Sequence, residues 1–174
     1  MSSKKRLLSY VFFVTGISLL IGVVLYYFYI RPTTGTDQAE SIPRTIAGLA
    51  LAQVITGQEA VDAIHQLHGK DFPLTNGAVA SYGAQNATLW VSGTGGESDA
   101  AALTEMMKVR IAEGRSPFVD QGSFNLDGFT IYALDGLGQA HYYWQSGSLV
   151  LWLTVDQELA SSALQETIHF YRPK

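Results

Sequence analysis

The chain has 174 residues, a formal net charge of −4 and no cysteine. That length allows one ordinary domain plus a small accessory segment, and the missing thiols exclude disulfides, thiolate metal sites and thiol catalysis. Only 15% of the residues are charged, against roughly a quarter in an average soluble domain.

Part of that deficit has a plain source. Residues 7–30, LLSYVFFVTGISLLIGVVLYYFYI, contain no charged side chain. At about 1.5 Å per residue such a run crosses a hydrocarbon core of roughly 30 Å as a helix, the form in which lipid-buried amides of a single segment pair internally. Lys4, Lys5 and Arg6 precede the run, whereas Arg31 alone follows it closely. Residues 1–6 are therefore expected in the cytoplasm, and everything beyond the span outside it, periplasmic or at the cell surface. The aromatic residues 26–29 then lie at the outer headgroup level and Tyr10 near the inner one. A cleaved signal peptide is the rival reading; the run is long for one and ends in bulky aromatics rather than small residues. Within the span, Ser18 and Gly22 form a small-xxx-small pair that lets a neighbouring helix approach. A span without ionisable groups offers no transport path by itself, so its expected role is to anchor or to pack.

Residues 31–43, RPTTGTDQAESIP, are polar and without periodicity, and read as a spacer in front of a domain over 44–174. From Pro43 onward there are seven Lys/Arg and thirteen Asp/Glu, a formal charge of −6. Such a balance argues against a nucleic-acid partner, because that affinity comes largely from basic contacts to phosphate.

In the domain, residues 49–55 read as a strand. The segment GQEAVDAIHQLHG then sets Ala60, Val61, Ile64 and Leu67 on one helical face, with Gly69 as its stop. VASYG and ATLWVSG are two strands joined around residues 83–86. ESDAAALTEMMKVRIAEG is a second helix, with Leu103, Met107 and Ile111 on one stripe and Gly114 and Pro117 beyond it. FVDQGSFNL, FTIYAL, AHYYWQ and SLVLWLTV follow as four strands separated by glycine-bearing turns, the pattern of a meander. The last of them is apolar on both faces and is expected to be central. Asp156 can cap a final helix over 157–171. The order β-α-β-β-α-β-β-β-β-α predicts an α+β fold, one antiparallel sheet with about three helices packed on a single face.

Four stretches invite a chemical reading. His65 and His68 stand three apart on a helix, so both can address one zinc or copper ion if His141, His169 or Asp71 adds a third ligand. The structural alternative is a helix end, where imidazoles and Lys70 complement the terminal carbonyls and Pro73 prevents continuation. LWVSGTGGESDAA resembles a phosphate cradle in outline but lacks a lysine and fits no phosphate motif. Its Glu97 and Asp99 would also occupy the helix start themselves. Asp135, His141 and Ser146 have the residue types of a hydrolase triad, but no G-x-S-x-G elbow is present. Asn86-Ala87-Thr88 matches a glycosylation sequon.

Strand alternation sends His141, Tyr143 and Gln145 to one side of the sheet and Tyr142 and Trp144 to the other. With Tyr132, Trp152 and Trp90 on other strands, an uncovered sheet face would offer an aromatic docking surface. These features lead to the expectation of a single-pass membrane protein with a non-enzymatic interaction role and no cofactor. It would serve as an accessory or assembly subunit, its partner another membrane or extracytoplasmic protein, contacted through Ser18, Gly22, Tyr132, Tyr143, Trp144 and Trp152. The alternative is a binding module for a small ligand or metal, using the aromatic face with His65, His68 or His141.

Overall fold

Eight antiparallel strands form one sheet, and the order in which they lie explains where each face of the molecule goes. The computed structural model describes residues 42–68, 73–114 and 116–172, which all belong to one compact unit. The expected span over 7–30, with Ser18 and Gly22, lies outside the described residues. Among the described residues no helix is long and apolar enough to cross a membrane.

The elements are β1 (Thr45–Ile46), β2 (Leu49–Thr56), α1 (Gly57–His68), β3 (Leu74–Tyr82), β4 (Ala87–Thr94), α2 (Glu97–Ala112), β5 (Val119–Leu126), β6 (Phe129–Gly136), β7 (Gln139–Ser146), β8 (Leu149–Val155), a 3-10 turn (Gln157–Leu159) and α3 (Ala160–Phe170). The sheet order is β1-β2-β3-β4-β8-β7-β6-β5. The strand apolar on both faces, β8, is thus an inner one. Every residue from Val150 to Val155 on it is buried. The two-residue β1 adds a strand to the expected seven. Ile42 and Pro43, read above as the end of the spacer, belong to the packed domain instead: Ile42 joins the core, and the Pro43 carbonyl accepts from the Tyr82 hydroxyl at 2.9 Å.

The expectation of helices on one face is corrected. Period-2 alternation on β4 and β8 puts Leu89, Val91, Leu151, Leu153 and Val155 on one side, where α3 covers them with Ala163, Leu164 and Ile168. Trp152 and Val150 point the other way, under Leu103 and Met107 of α2. The helix α1 joins α2 on that side, pressed so closely onto β3 that a Cβ at Gly77 would stand 3.1 Å from Ile64 Cδ1 and 3.2 Å from the Val61 nitrogen. Helical periodicity identifies the buried stripe of each helix but carries no information about which sheet face receives it.

Asp156 is the other correction. It makes no cap hydrogen bond to the helix behind it. Its carboxylate accepts from Asn86 Nδ2 and from Gln139 Nε2, each at 2.8 Å, tying the β3–β4 and β6–β7 turns to the end of β8. These two bonds hold the carboxyl below its usual pKa.

Candidate functional site

Of the residues picked out for chemistry, His141 and Ser146 are buried in the packing, whereas Asp135 and His169 are exposed. His141 is 3% exposed on the α2 side of β7. Its Nε2 lies 2.9 Å from the Gly136 carbonyl, an acceptor, so Nε2 carries the proton. Nδ1 then accepts, from Thr154 Oγ1 at 2.9 Å and Trp152 Nε1 at 3.3 Å. Both ring nitrogens are engaged in holding β6, β7 and β8 together. Burial lowers the imidazole pKa and outweighs the Gly136 carbonyl and the Asp135 charge, which act upward.

Ser146 differs from His141 by an odd number of positions on one strand and so faces the α3 side. There its Oγ donates to the Tyr171 carbonyl at 2.6 Å. Sequence closeness therefore put on one list two side chains that the sheet separates. His65 is half-buried on α1; the side chain of His68 and residues 69–72 lie outside the described residues. Among the described residues no three His, Cys, Asp or Glu side chains gather in a metal-binding group. The sequon asparagine has its amide nitrogen on Asp156 and its oxygen on the Ala84 N–H at 3.0 Å. At the glycine-rich loop, Asp99 folds back over Gly95, so a carboxylate occupies the place an anion would take.

The aromatic residues separate in the same way. Trp144 is fully buried beneath the α3 side, and Tyr143 and Trp152 are 2% and 8% exposed on the other. These three residues are core, and among the described residues they form no uncovered aromatic face. On the α2 side they form a ladder in strand register. Tyr132 stacks on Tyr143 with centroids 4.7 Å apart, and Tyr143 on Trp152 at 5.5 Å, both pairs within 13° of parallel. Phe118 closes the inner end against His141 at 4.5 Å and Trp152 at 5.1 Å. A cavity of about 20 Å³ between α1, α2 and the sheet is lined by Ile64, Trp90, Leu103, Met107 and Trp152. Its size admits about one water molecule and no drug-sized ligand.

Among the described residues, the outer end of the ladder lies beside a strand with no second neighbour. Tyr132 is half-buried on β6. Its neighbour β5 ends the sheet and is exposed along seven of its eight residues, with Leu126 half-buried. Two large apolar side chains stand there, Val119 at 62% and Phe124 at 43% exposure. The register to β6 is fixed by Asp127-Gly128, both at positive φ (53° and 89°), the backbone of a type I′ turn. Between Asp120 and Ser123 the pairing shifts in a bulge, where the Gly122 N–H donates to Asp120 Oδ1 at 2.8 Å. Asp120 and Glu105 of α2 both bear on Tyr143, whose hydroxyl burial and these charges push up. Sequence reading passed over Val119, Asp120, Ser123 and Phe124. The available signal was a strand with a central glycine and little apolar alternation, which marks a bulged edge.

Comparison of the chain with protein-family models, with curated proteins and with solved structures finds no match.

Proposed function

We propose that this chain is a single-pass membrane protein whose extracytoplasmic domain binds another protein and catalyses no reaction, as an accessory or assembly subunit of a membrane complex. The observation that carries the reading is the open edge of β5, where exposed Val119 and Phe124 flank unpaired backbone groups. An exposed strand edge with apolar side chains is a ready template for pairing with another chain. The buried aromatic residues Tyr143, Trp144 and Trp152 and the buried His141 are engaged in holding the sheet, whereas the side chains of the β5 edge face solvent. The charge-free run over residues 7–30 supplies the anchor, and its Ser18–Gly22 pair a second contact within the bilayer.

Native mass spectrometry of the full-length chain, extracted in mild detergent from its own membrane, tests this reading. The expected result is additional protein mass, lost when Phe124→Arg places a charge on the edge and weakened by a bulky residue at Gly22. A chain that emerges alone, or carrying only a small molecule or metal, overturns it.

A further inference from the structure

Resting on that reading, we propose that β5 accepts an extended segment of a partner protein as a further strand, and that this segment carries lysine or arginine beside Ser123. Three features of the edge select this occupant. First, residues on either side of a two-residue turn exchange hydrogen bonds, so Leu126 bonds to Phe129 and, by alternation, Asn125 and Ser123 direct their N–H and C=O groups away from β6. Edge strands are commonly guarded by lysine or proline; residues 119–126 contain neither. The bulge at Gly122 closes the first half of the strand, since Asp120 already takes the Gly122 N–H. Residues 123–126 remain as a straight, open run.

Second, the aromatic ladder turns its outer ring toward that run. Tyr132 lies nearly parallel to Tyr143 on its β7 side, so its opposite face turns toward β5. There its register partner is Ser123, too small to cover a ring. A long side chain on an added strand would pass over Ser123 toward the ring of Tyr132, the geometry of a cation–π contact.

Third, two carboxylates lie close to that ring. Asp120 sits on β5 and Glu105 on the overlying α2, both close enough to act on Tyr143. Glu105 holds Lys108 at 3.3 Å with both side chains at least half exposed, a pairing that solvent makes weak and that an incoming cation can replace. The domain as a whole is acidic, with thirteen Asp/Glu against seven Lys/Arg from Pro43 onward. A second copy of this chain would bring the same acidic surface and no basic residue on its own β5, which favours a foreign basic segment over self-pairing.

The test uses the full-length chain in a neutral detergent and measures fluorescence anisotropy of three labelled nonapeptides: alternating lysine and valine, alternating threonine and valine, and the lysine peptide with alternate backbone nitrogens methylated. The lysine peptide is expected to bind about tenfold more tightly than the threonine peptide, the size of one exposed cation–π contact with weak ion pairing. The methylated peptide should lose binding because it cannot complete the ladder. Asn125→Pro, at an outward N–H that an edge strand can forgo, should weaken both unmethylated peptides at least tenfold. Asp120→Asn with Glu105→Gln, which keeps the oxygen that accepts from Gly122, should reduce the preference for lysine and leave threonine-peptide binding unchanged. Equal binding of lysine and threonine peptides overturns the cationic partner while leaving the edge as a docking surface. Lysine-peptide binding that survives both methylation and Asn125→Pro overturns strand addition. If no peptide binds, this proposal fails as a whole, while native mass spectrometry decides the wider reading independently.

Discussion

Trp144 and Trp152 sit on neighbouring strands, β7 and β8, are 0% and 8% exposed, and differ in one respect that makes their replacement by phenylalanine informative. Trp152 Nε1 donates to His141 Nδ1 and to Thr154 Oγ1 at 3.2 Å, whereas Trp144 Nε1 is buried with no hydrogen-bond partner. Each Trp→Phe change removes the same atoms, so the transfer and cavity costs are similar and largely cancel between the two. Trp152→Phe also forfeits a hydrogen bond worth about 1 kcal/mol, the Thr154 hydroxyl still serving Nδ1. Trp144→Phe relieves an unpaired buried donor, which costs the folded state about 1–3 kcal/mol. The expected difference is that Trp152→Phe is the more destabilising by roughly 2–4 kcal/mol. In thermal unfolding followed by circular dichroism this is on the order of 8 °C between the two midpoints. If Trp144→Phe proves as costly as Trp152→Phe, or costlier, the buried indole N–H of Trp144 does not burden the folded state.

Other expectations follow from the same packing. Because burial lowers the His141 pKa, the folded state binds its proton less readily than the unfolded chain, whose value is near 6.5. Stability is therefore level above that value, falls as pH drops through it, and levels off below the folded-state pKa. Urea midpoints at pH 8 and pH 5 should differ in the wild type and converge in His141→Gln; an equal difference in both proteins would assign the effect elsewhere. Leu137 is 78% exposed and held at φ 56° in the β6–β7 turn, where asparagine is at ease and leucine is not. Leu137→Asn should raise stability by about 0.5–1 kcal/mol, read from the urea midpoint at constant slope. Gly77→Val should push α1 from β3 at a cost of about 1–3 kcal/mol, visible as faster amide exchange across α1; unchanged exchange would show that the close approach carries no load.

What was legible in the sequence was local. Asp127-Gly128 and Ser146-Gly147 set the hairpins because positive φ is a property of one or two residues, and the two-sided apolar run at Val150 to Leu153 placed β8 inside the sheet. The two-residue β1 has no periodicity to detect. Asp156 carried the signature of a cap, but Asn86, 70 positions away, and Gln139, 17 away, claimed both of its oxygens. The aromatic residues misled for a related reason: alternation on β7 sorts Tyr143 and Trp144 onto opposite faces but does not say that α2 and α3 will cover both. The β5 edge stayed unseen because exposure of a strand depends on having no neighbour, and pairing is a long-range property.

The sheet order has one more implication, and it concerns synthesis. β8 is the sole bridge between β1–β4, completed by residue 94, and the meander that begins at residue 119. Until the ribosome has delivered residue 155, β4 and β7 each present an open inner border, and their join awaits a closure across the whole of α2 and the meander. The fold therefore has its keystone in the last strand of the sheet to be made. A chain cut short between β7 and β8 is left with two adhesive half-sheets, so nonsense and frameshift lesions there should surface as aggregation rather than as partial function.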